Sequence, residues 1–391
     1  MPKKGLNICK VTKRGIEYWR GRYDKGYDEY GRMKQGEVYR RTYEEVEAEL
    51  VKVQNAINTN TYIDNDNITV YGWLIKWLNV YKENNITHST YTTYKVNIEN
   101  HIKPTIGNIK LQALNIEMLQ SFFNKKAIDG SLEAENTPLS PKTLKNIRTM
   151  LSTAFKQAVT NGIINKNVAE YVTLPKVEKR DMRVLNLVEQ SRLTEVLKQS
   201  ENRFAISIIL AMFTGMREGE ISALLWSDID FKSGLLSVNK TLQRVQKKNG
   251  IGTEIIITPP KSMKSNRTIP LQGFLIEELQ AHYELIQADK EKCGSGYNKA
   301  GYVICNELGQ YVEPRQLQVI FKRFTDEAEI SNVNFHALRH TFATRALENG
   351  IDIKTVSTLL GHADVQTTLN LYAHTTKDHA KSQMEKLSSL F

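Results

Sequence analysis

Cysteine is scarce: Cys9, Cys293 and Cys305 are the only three in 391 residues. Three scattered thiols make neither a disulfide framework nor a zinc site. Long apolar runs are missing as well. The longest apolar-rich stretch, residues 204–213, falls short of the ~20 apolar residues a bilayer span needs, so no membrane partner is expected. The opening residues, MPKKGLN, hold no apolar segment of the secretory kind, and the expected setting is a reducing cytoplasm. No fixed-period repeat or low-complexity tract stands out. Acid does not balance base: 53 Lys and Arg face 43 Asp and Glu, a formal net charge of +10. Such a chain suits a polyanionic partner, because Lys and Arg neutralise phosphates and release counterions. Charge alone leaves a globular protein with a basic surface equally open.

The length suits two or three domains. Residues 1–42 carry twelve Lys or Arg against five Asp or Glu, interleaved with Tyr18, Trp19, Tyr23, Tyr27, Tyr30 and Tyr39. Three short strands are expected, at 7–13, 16–23 and 32–41, with turns at Arg14-Gly15 and Asp24-Lys25-Gly26. Thr42 and Glu45 form a T-x-x-E capping box, which satisfies orphan backbone donors. The helix it opens carries Val46, Leu50, Val53 and Ile57 on one stripe. A small sheet backed by one helix follows. Its basic, aromatic ribbon fits a DNA groove, with Lys13, Arg14, Trp19, Arg20 and Arg22 as candidate contacts. The plainer reading is a solvated sheet face.

Residues 58–67 (NTNTYIDNDN) read as a linker. Beyond them Val70, Trp73, Leu74, Trp77, Leu78 and Tyr81 follow helical spacing. A second helix is expected over 89–102, stopping before Pro104, and a third near 116–123. A fourth opens on Ser140 as N-cap with Pro141 behind it, carries Leu144, Ile147, Leu151, Phe155 and Val159, and ends at Asn161-Gly162. Four helices so close together suggest a compact all-α domain with these stripes as its core. The charged segment 176–183 (KVEKRDMR) links to the last domain. There a buried helix over 206–213 ends near Gly215, strands fall at 235–246, 254–258 and 267–271, and helices return from Phe335.

Four segments of that last domain hold chemistry. In Thr214-Gly215-Met216-Arg217-Glu218-Gly219-Glu220, Glu220 lies one helical turn from Arg217; alone this reads as a surface ion pair. Residues 260–267 (PKSMKSNR) form a basic hairpin tip with Lys261 and Lys264, alone a solvated turn. In His336-Ala337-Leu338-Arg339-His340, His336 and Arg339 share a face and flank a stripe of Phe335, Leu338, Phe342 and Ala346. The two histidines have zinc spacing but lack the Glu of H-E-x-x-H, so no metal is expected. In Leu359-Leu360-Gly361-His362, Ile353, Val356, Leu359 and Leu360 build a helix capped by Gly361 in the left-handed conformation. A further helix starts near Asp364, and Tyr372, spaced with Val365 and Leu369, alone suits a core position.

Together the segments read differently. Two Arg, one Lys, two His and one Tyr meet the needs of phosphodiester transesterification without a metal. Guanidinium forks match the equatorial oxygens of a pentavalent phosphate, and fixed cations stabilise its charge. A Lys or His can protonate the leaving 5′-oxygen. Tyrosine is a usable nucleophile, with a free pKa of about 10, and neighbouring cations favour its phenolate.

In this order the segments resemble the tyrosine recombinase (phage integrase) family. Its first Arg box matches TGMREGEI, its hairpin Lys PPKSMKSNRTIPL, its H-x-x-R box HALR, and its last box LLGH followed by the nucleophile; the match spans 183–372. Residues 70–175 are similar to the family's core-binding domain and 1–60 to its arm-binding domain. The resemblance implies a multidomain chain. A small β-sheet plus helix would span 1–60 and an all-α, SAM-like domain 68–175. A mainly α (α+β) catalytic domain would span 183–376 and a tail helix for protomer exchange 377–391. It implies Arg217 and Arg339 on the scissile phosphate, His336 positioning it, Lys261 as acid, His362 donating to a phosphate oxygen, Glu220 in support, and Tyr372 as nucleophile. It implies no cofactor, metal or ATP. The implied partners are double-stranded DNA at core and arm sites, a homotetramer on that DNA, an excisionase and a DNA-bending protein. Rival readings are a type IB topoisomerase, which shares the catalytic set, and a DNA-binding repressor on a degenerate fold.

Overall fold

The computed structural model describes residues 7–13, 15–27, 32–58, 68–131, 137–176, 183–247, 252–259, 265–362 and 364–372. The chain divides into two units, 1–178 and 179–391.

In the first unit β1 (Asn7–Lys13), β2 (Ile16–Tyr27) and β3 (Met33–Arg40) pair antiparallel in chain order. Gly15, at φ +78°, stands in the left-handed region between β1 and β2. The turn expected at Asp24-Lys25-Gly26 is instead an irregularity inside β2. Pairing with β3 shifts register between Asp24 and Gly26, and the strand runs on to Tyr27. A glycine in a strand signals a bulge as readily as a turn. Helix α1 (Tyr43–Asn58) covers one face. Thr42 Oγ1 accepts from the Glu45 backbone at 3.3 Å, and Glu45 Oε2 accepts from the Thr42 backbone at 3.4 Å. Gly21 lets the helix approach: a Cβ there would meet Leu50 Cδ1 at 2.5 Å and Val46 Cγ1 at 2.7 Å. The small core is Val38, Val46 and Leu50, with Ile8, Trp19 and Tyr23 packed against it. The expected linker lies mostly outside the described residues.

The same unit holds α2 (Val70–Trp77), α3 (His88–Asn97), α4 (Ile116–Ile128) and α5 (Pro141–Thr160). α2 and α3 each continue into a π-helical turn, Leu78–Lys82 and Ile98–Ile102. Trp73, Trp77, Phe123 and Phe155 are fully buried among them. The one polar atom of Trp73 is satisfied, Nε1 donating to the Ala154 carbonyl at 3.0 Å. α4 runs five residues past its expected end at Phe123, because no breaker follows until Gly130. On α5 the buried stripe passes through Phe155 to Ala158, and Val159, expected within it, is exposed. A step of three rather than four keeps the 3.6-residue period on the core here.

The second unit runs α6 (Leu187–Gln199), α7 (Ala205–Thr214), α8 (Glu218–Ser222), β4 (Ile229–Asp230), β5 (Leu235–Val238), β6 (Thr241–Gln246), β7 (Thr253–Thr258), β8 (Arg267–Pro270), α9 (Gly273–Cys293), α10 (Pro314–Glu327), α11 (His336–Glu348), α12 (Ile353–Leu360) and α13 (Val365–Tyr372). One sheet has the order β4-β5-β8, and β6-β7 forms another. The single strand expected over 235–246 therefore breaks. Asn239 Nδ2 and Lys240 Nζ both reach Asp228 Oδ1, at 3.1 and 2.8 Å, which turns the chain from one sheet to the next. The segment after β7 joins two sheets, so it is not the tip of a hairpin between its flanking strands; residues 260–264 themselves lie outside the described ones. Helices also precede Phe335, as α6, α9 and α10 show. α6 starts on an Asn186–Glu189 capping box and α10 has Pro314 in its first turn. Among the described residues no helix is long and apolar enough to cross a membrane.

Candidate active site

α7 ends at Gly215, φ +64°, where a Cβ would meet Phe342 Cδ1 at 2.6 Å and Leu360 Cδ2 at 2.7 Å. This turn places Arg217 at the N-cap of α8. The Arg217 backbone N–H donates to Glu220 Oε2 at 2.9 Å and its Nη1 to Oε1 at 2.8 Å. From β8, Arg267 grips the same carboxylate with both terminal nitrogens, Nη2 to Oε2 at 2.8 Å and Nη1 to Oε1 at 3.1 Å. The side chains of Glu220 and Arg267 are 4% and 2% exposed, that of Arg217 38%. Glu220 is thus a buried anion holding two cations, not a surface partner. Burial would raise its carboxyl, but hydrogen bonding and charge from Arg267, then Arg217, more than offset that and hold it below the usual range.

Arg339 does not flank the core as expected but lies within it, 2% exposed. Its Nη1 donates to the Gly215 carbonyl at 2.8 Å and Nη2 to the Leu360 carbonyl at 2.6 Å. Arg267 Nε donates to Leu359 O at 2.6 Å. Two carbonyls at the C-terminus of α12, orphans by helix geometry, are therefore each met by an arginine. Burial, then Arg217, push Arg339 down to about 9, still cationic at neutral pH. Gly361, φ +67°, caps α12 and hands the chain to His362. His362 Nδ1 shares a 2.8 Å hydrogen bond with Thr368 Oγ1 of α13, which orients the ring.

Three imidazoles sit in this cationic surround. Partial desolvation, then Arg339 and Arg217, lower His336, which stays solvent-exposed, and burial followed by the same two arginines brings His362 down to about 4. Burial, then His336, bring His340 to about 4, its ring edge-on to His336 at 4.6 Å. His340 and His362 are neutral at pH 7. For His340 and His362 the folded values lie below the ordinary 6.5, so the unfolded chain binds more protons between about pH 6.5 and 4. Their stabilising contribution is present above that window and is lost as pH falls through it. Thermal melts from about pH 7.5 to 4.5 should show the second unit weakening with acid. His340→Gln should flatten the trend, and an unchanged slope would remove His340 from it.

The structure brings Arg217, Glu220, His336, Arg339 and His362 together, with Arg217 and His336 lining a cleft of about 360 Å³. Tyr372 ends α13, four residues after Thr368; its side chain, and all of Lys261 and Lys264, lie outside the described residues. Of the residues spaced with Tyr372, Val365 and Leu369 are 38% and 41% exposed, and Thr368 is buried. In the N-terminal sheet, Lys13, Arg20 and Arg22 share the face opposite α1. Trp19, expected with them, faces α1 instead. It packs at 5.3 Å on Tyr43, because it shares strand parity with Gly21. Arg14 lies outside the described residues. The residue missed by sequence reasoning is Arg267. Its signal was alternation: with Ile269 buried and Thr268 and Pro270 exposed, Arg267 falls on the buried side, where a cation needs a carboxylate.

Around that cleft the guanidiniums of Arg217 and Arg339 act electrostatically on the imidazoles of His336 and His362. Residues 183–379 match the phage integrase family, and 69–127 match the phage integrase N-terminal SAM-like domain. The chain belongs to the phage integrase family and is a tyrosine-type, site-specific DNA recombinase of integration and excision. It is 30% identical over 394 residues to a XerC-like tyrosine recombinase of Caldanaerobacter subterraneus subsp. tengcongensis, covering 97% of this chain and 98% of that protein. It is 25% identical over 276 residues to the ICEBs1 integrase of Bacillus subtilis, covering 70% and 72%. Among solved structures, the Tn1549 transposon integrase in complex with a circular intermediate DNA superposes with a TM-score of 0.67. At 21% identity, over 82% of this chain and 99% of that one, it shows a shared fold.

Proposed function

We propose that this recombinase cuts each strand by attack of the Tyr372 phenolic oxygen on the scissile phosphorus. A 3′-phosphotyrosyl bond forms, and the bond to the 5′-oxygen breaks. The observation that carries the reading is the convergence of Arg217, Arg339, His336 and His362 on one another, with Glu220 and Arg267 fixing the frame. Arg217, the more open of the two catalytic arginines, and Arg339 hold the phosphate oxygens as charge develops. His336 positions the phosphate and exchanges a proton with the phenol. His362 donates to an oxygen. Lys261 protonates the 5′-oxygen, and in rejoining each proton runs back. The phosphotyrosine conserves the energy of the broken bond, so ATP has no part.

Residues 1–60 serve arm sites, 68–175 core sites, 183–376 catalysis. Residues 377–391, with Met384, Leu387, Leu390 and Phe391, dock on a neighbouring protomer. A groove of about 850 Å³, with Leu187, Met212, Phe213, Phe342 and Ile351 set among polar residues such as Gln190, Lys198 and Arg345, offers a seat for that tail. The assembly on DNA is a homotetramer in the cytoplasm, aided by an excisionase and a DNA-bending protein. The Tn1549 integrase, solved on DNA, supports a duplex partner. Deleting residues 378–391 should reduce recombination far more than DNA binding; unchanged recombination would remove the tail's role. The reading as a whole is tested by incubating the protein with paired core duplexes. Holliday junctions are expected, whereas no junction there, with relaxation of a supercoiled plasmid carrying the core site in a parallel reaction, would favour a topoisomerase.

A further inference from the structure

The face of the N-terminal sheet opposite α1 is basic, yet a carboxylate stands on it, from the edge strand β3. Glu37 of β3 lies directly across from Arg22 of β2. Arg22 Nε donates to Glu37 Oε1 at 2.9 Å, Tyr39 Oη to Oε2 at 2.5 Å, and Arg20 Nη1 lies 3.7 Å from Oε1. Lys13 covers the Tyr39 ring at 4.8 Å. Arg20 is drawn flat across the sheet, its Nη2 donating to Cys9 Sγ at 3.4 Å. A face built only to grip phosphates gains nothing from an anion there, since Glu37 repels the backbone and neutralises its own neighbours. What the carboxylate does is geometric. It takes the Nε of Arg22, and among the described residues no hydrogen bond takes the edge bearing Nη1 and Nη2. That edge is the fork that meets O6 and N7 of a guanine in the major groove.

We propose that Glu37 is a specificity-determining, positioning residue, holding Arg22 to read a guanine edge and discouraging phosphate contact on the same face. The proposal rests on the reading of residues 1–60 as a DNA-binding module. Its test uses the full chain and a pool of randomised duplex DNA, from which bound sequences are selected. The wild-type chain should enrich a guanine-containing motif that Arg22→Ala no longer enriches. Glu37→Gln keeps the shape and frees the cations. It should bind random duplex more tightly, with the slope of log affinity against log salt steeper by about one, while preference for the motif falls about tenfold. A circular dichroism melt checks that the sheet still folds. If Arg22→Ala leaves every selected motif unchanged, the sheet does not read DNA and the underlying reading fails with the proposal. If Arg22→Ala loses the motif but Glu37→Gln alters neither preference nor salt slope, the module stands and Glu37 is not its specificity residue.

Discussion

Tyr372→Phe should leave DNA binding intact and abolish the covalent adduct. On a nicked suicide duplex carrying the core site, the cut strand's short 5′-hydroxyl fragment diffuses away, so a wild-type 3′-phosphotyrosyl link cannot reverse. It should appear as a shifted band on a denaturing gel. The substitution removes one oxygen and keeps the aromatic ring and every charged group of the arginine and histidine cluster. Binding should therefore change less than about twofold, while adduct falls by at least ~10³, to background. Position supports the choice. Tyr372 closes α13, whose Thr368 holds His362, so the proposed nucleophile and the proposed phosphate-oxygen donor are tied to neighbouring turns of one helix. Persistence of the adduct in the Phe variant would move the nucleophile to another residue. No adduct from wild-type protein on verified, bound core DNA would favour a binding protein on this fold and sink the catalytic reading.

What could be read in the chain follows the range of the interactions. Thr42 with Glu45, Ser140 with Pro141, and Gly361 after Leu360 are local devices, and each sits where its spacing puts it. The stripe from Val70 to Tyr81 is equally local: its first five members are fully buried and Tyr81 is half-buried against them. α9 was unreadable by periodicity because it carries apolar residues on two faces: Leu275, Leu279 and Ile286 are buried while Phe274, Tyr283 and Leu285 are exposed. The break between β5 and β6 depends on Asp228, and the facing of Trp19 on Gly21, a residue whose missing side chain no apolar pattern counts. In the site, the residue types were legible but their roles in the frame were not. Glu220 looked like a partner for Arg217 one turn away, yet its bidentate partner is Arg267, 47 residues on. Arg339 looked amphipathic and is buried, because the carbonyls that satisfy it belong to Gly215 and Leu360.

Arg267→Met should be among the most destabilising single changes in the catalytic domain. The side chain is as buried as its partner and ties three segments: it grips Glu220 of α8, meets Leu359 O at the end of α12, and packs against Gly361, whose added Cβ would lie 3.1 Å from Arg267 Cδ. Methionine fills comparable space but leaves a buried carboxylate with Arg217 alone and one helix carbonyl without its donor. Breaking one side of a buried pair costs about 3–5 kcal/mol, which for a domain of this size lowers the melting temperature by roughly 10 °C. Arg267→Lys keeps the charge and loses the fork, so it should fall between. The double variant Arg267→Met with Glu220→Gln separates ion pairing from packing. With no anion left unpaired, its loss should be smaller than the sum of the two single losses by more than about 1 kcal/mol. Additive losses would mean that the two residues act independently, and a cost under about 1 kcal/mol for Arg267→Met would mean that the carboxylate is held well enough by Arg217. The coupling matters for chemistry because Glu220 also fixes Arg217. Any variant that lets this carboxylate turn should lower the rate of adduct formation at temperatures where the domain is still folded, a loss read in single-turnover cleavage and not in DNA binding.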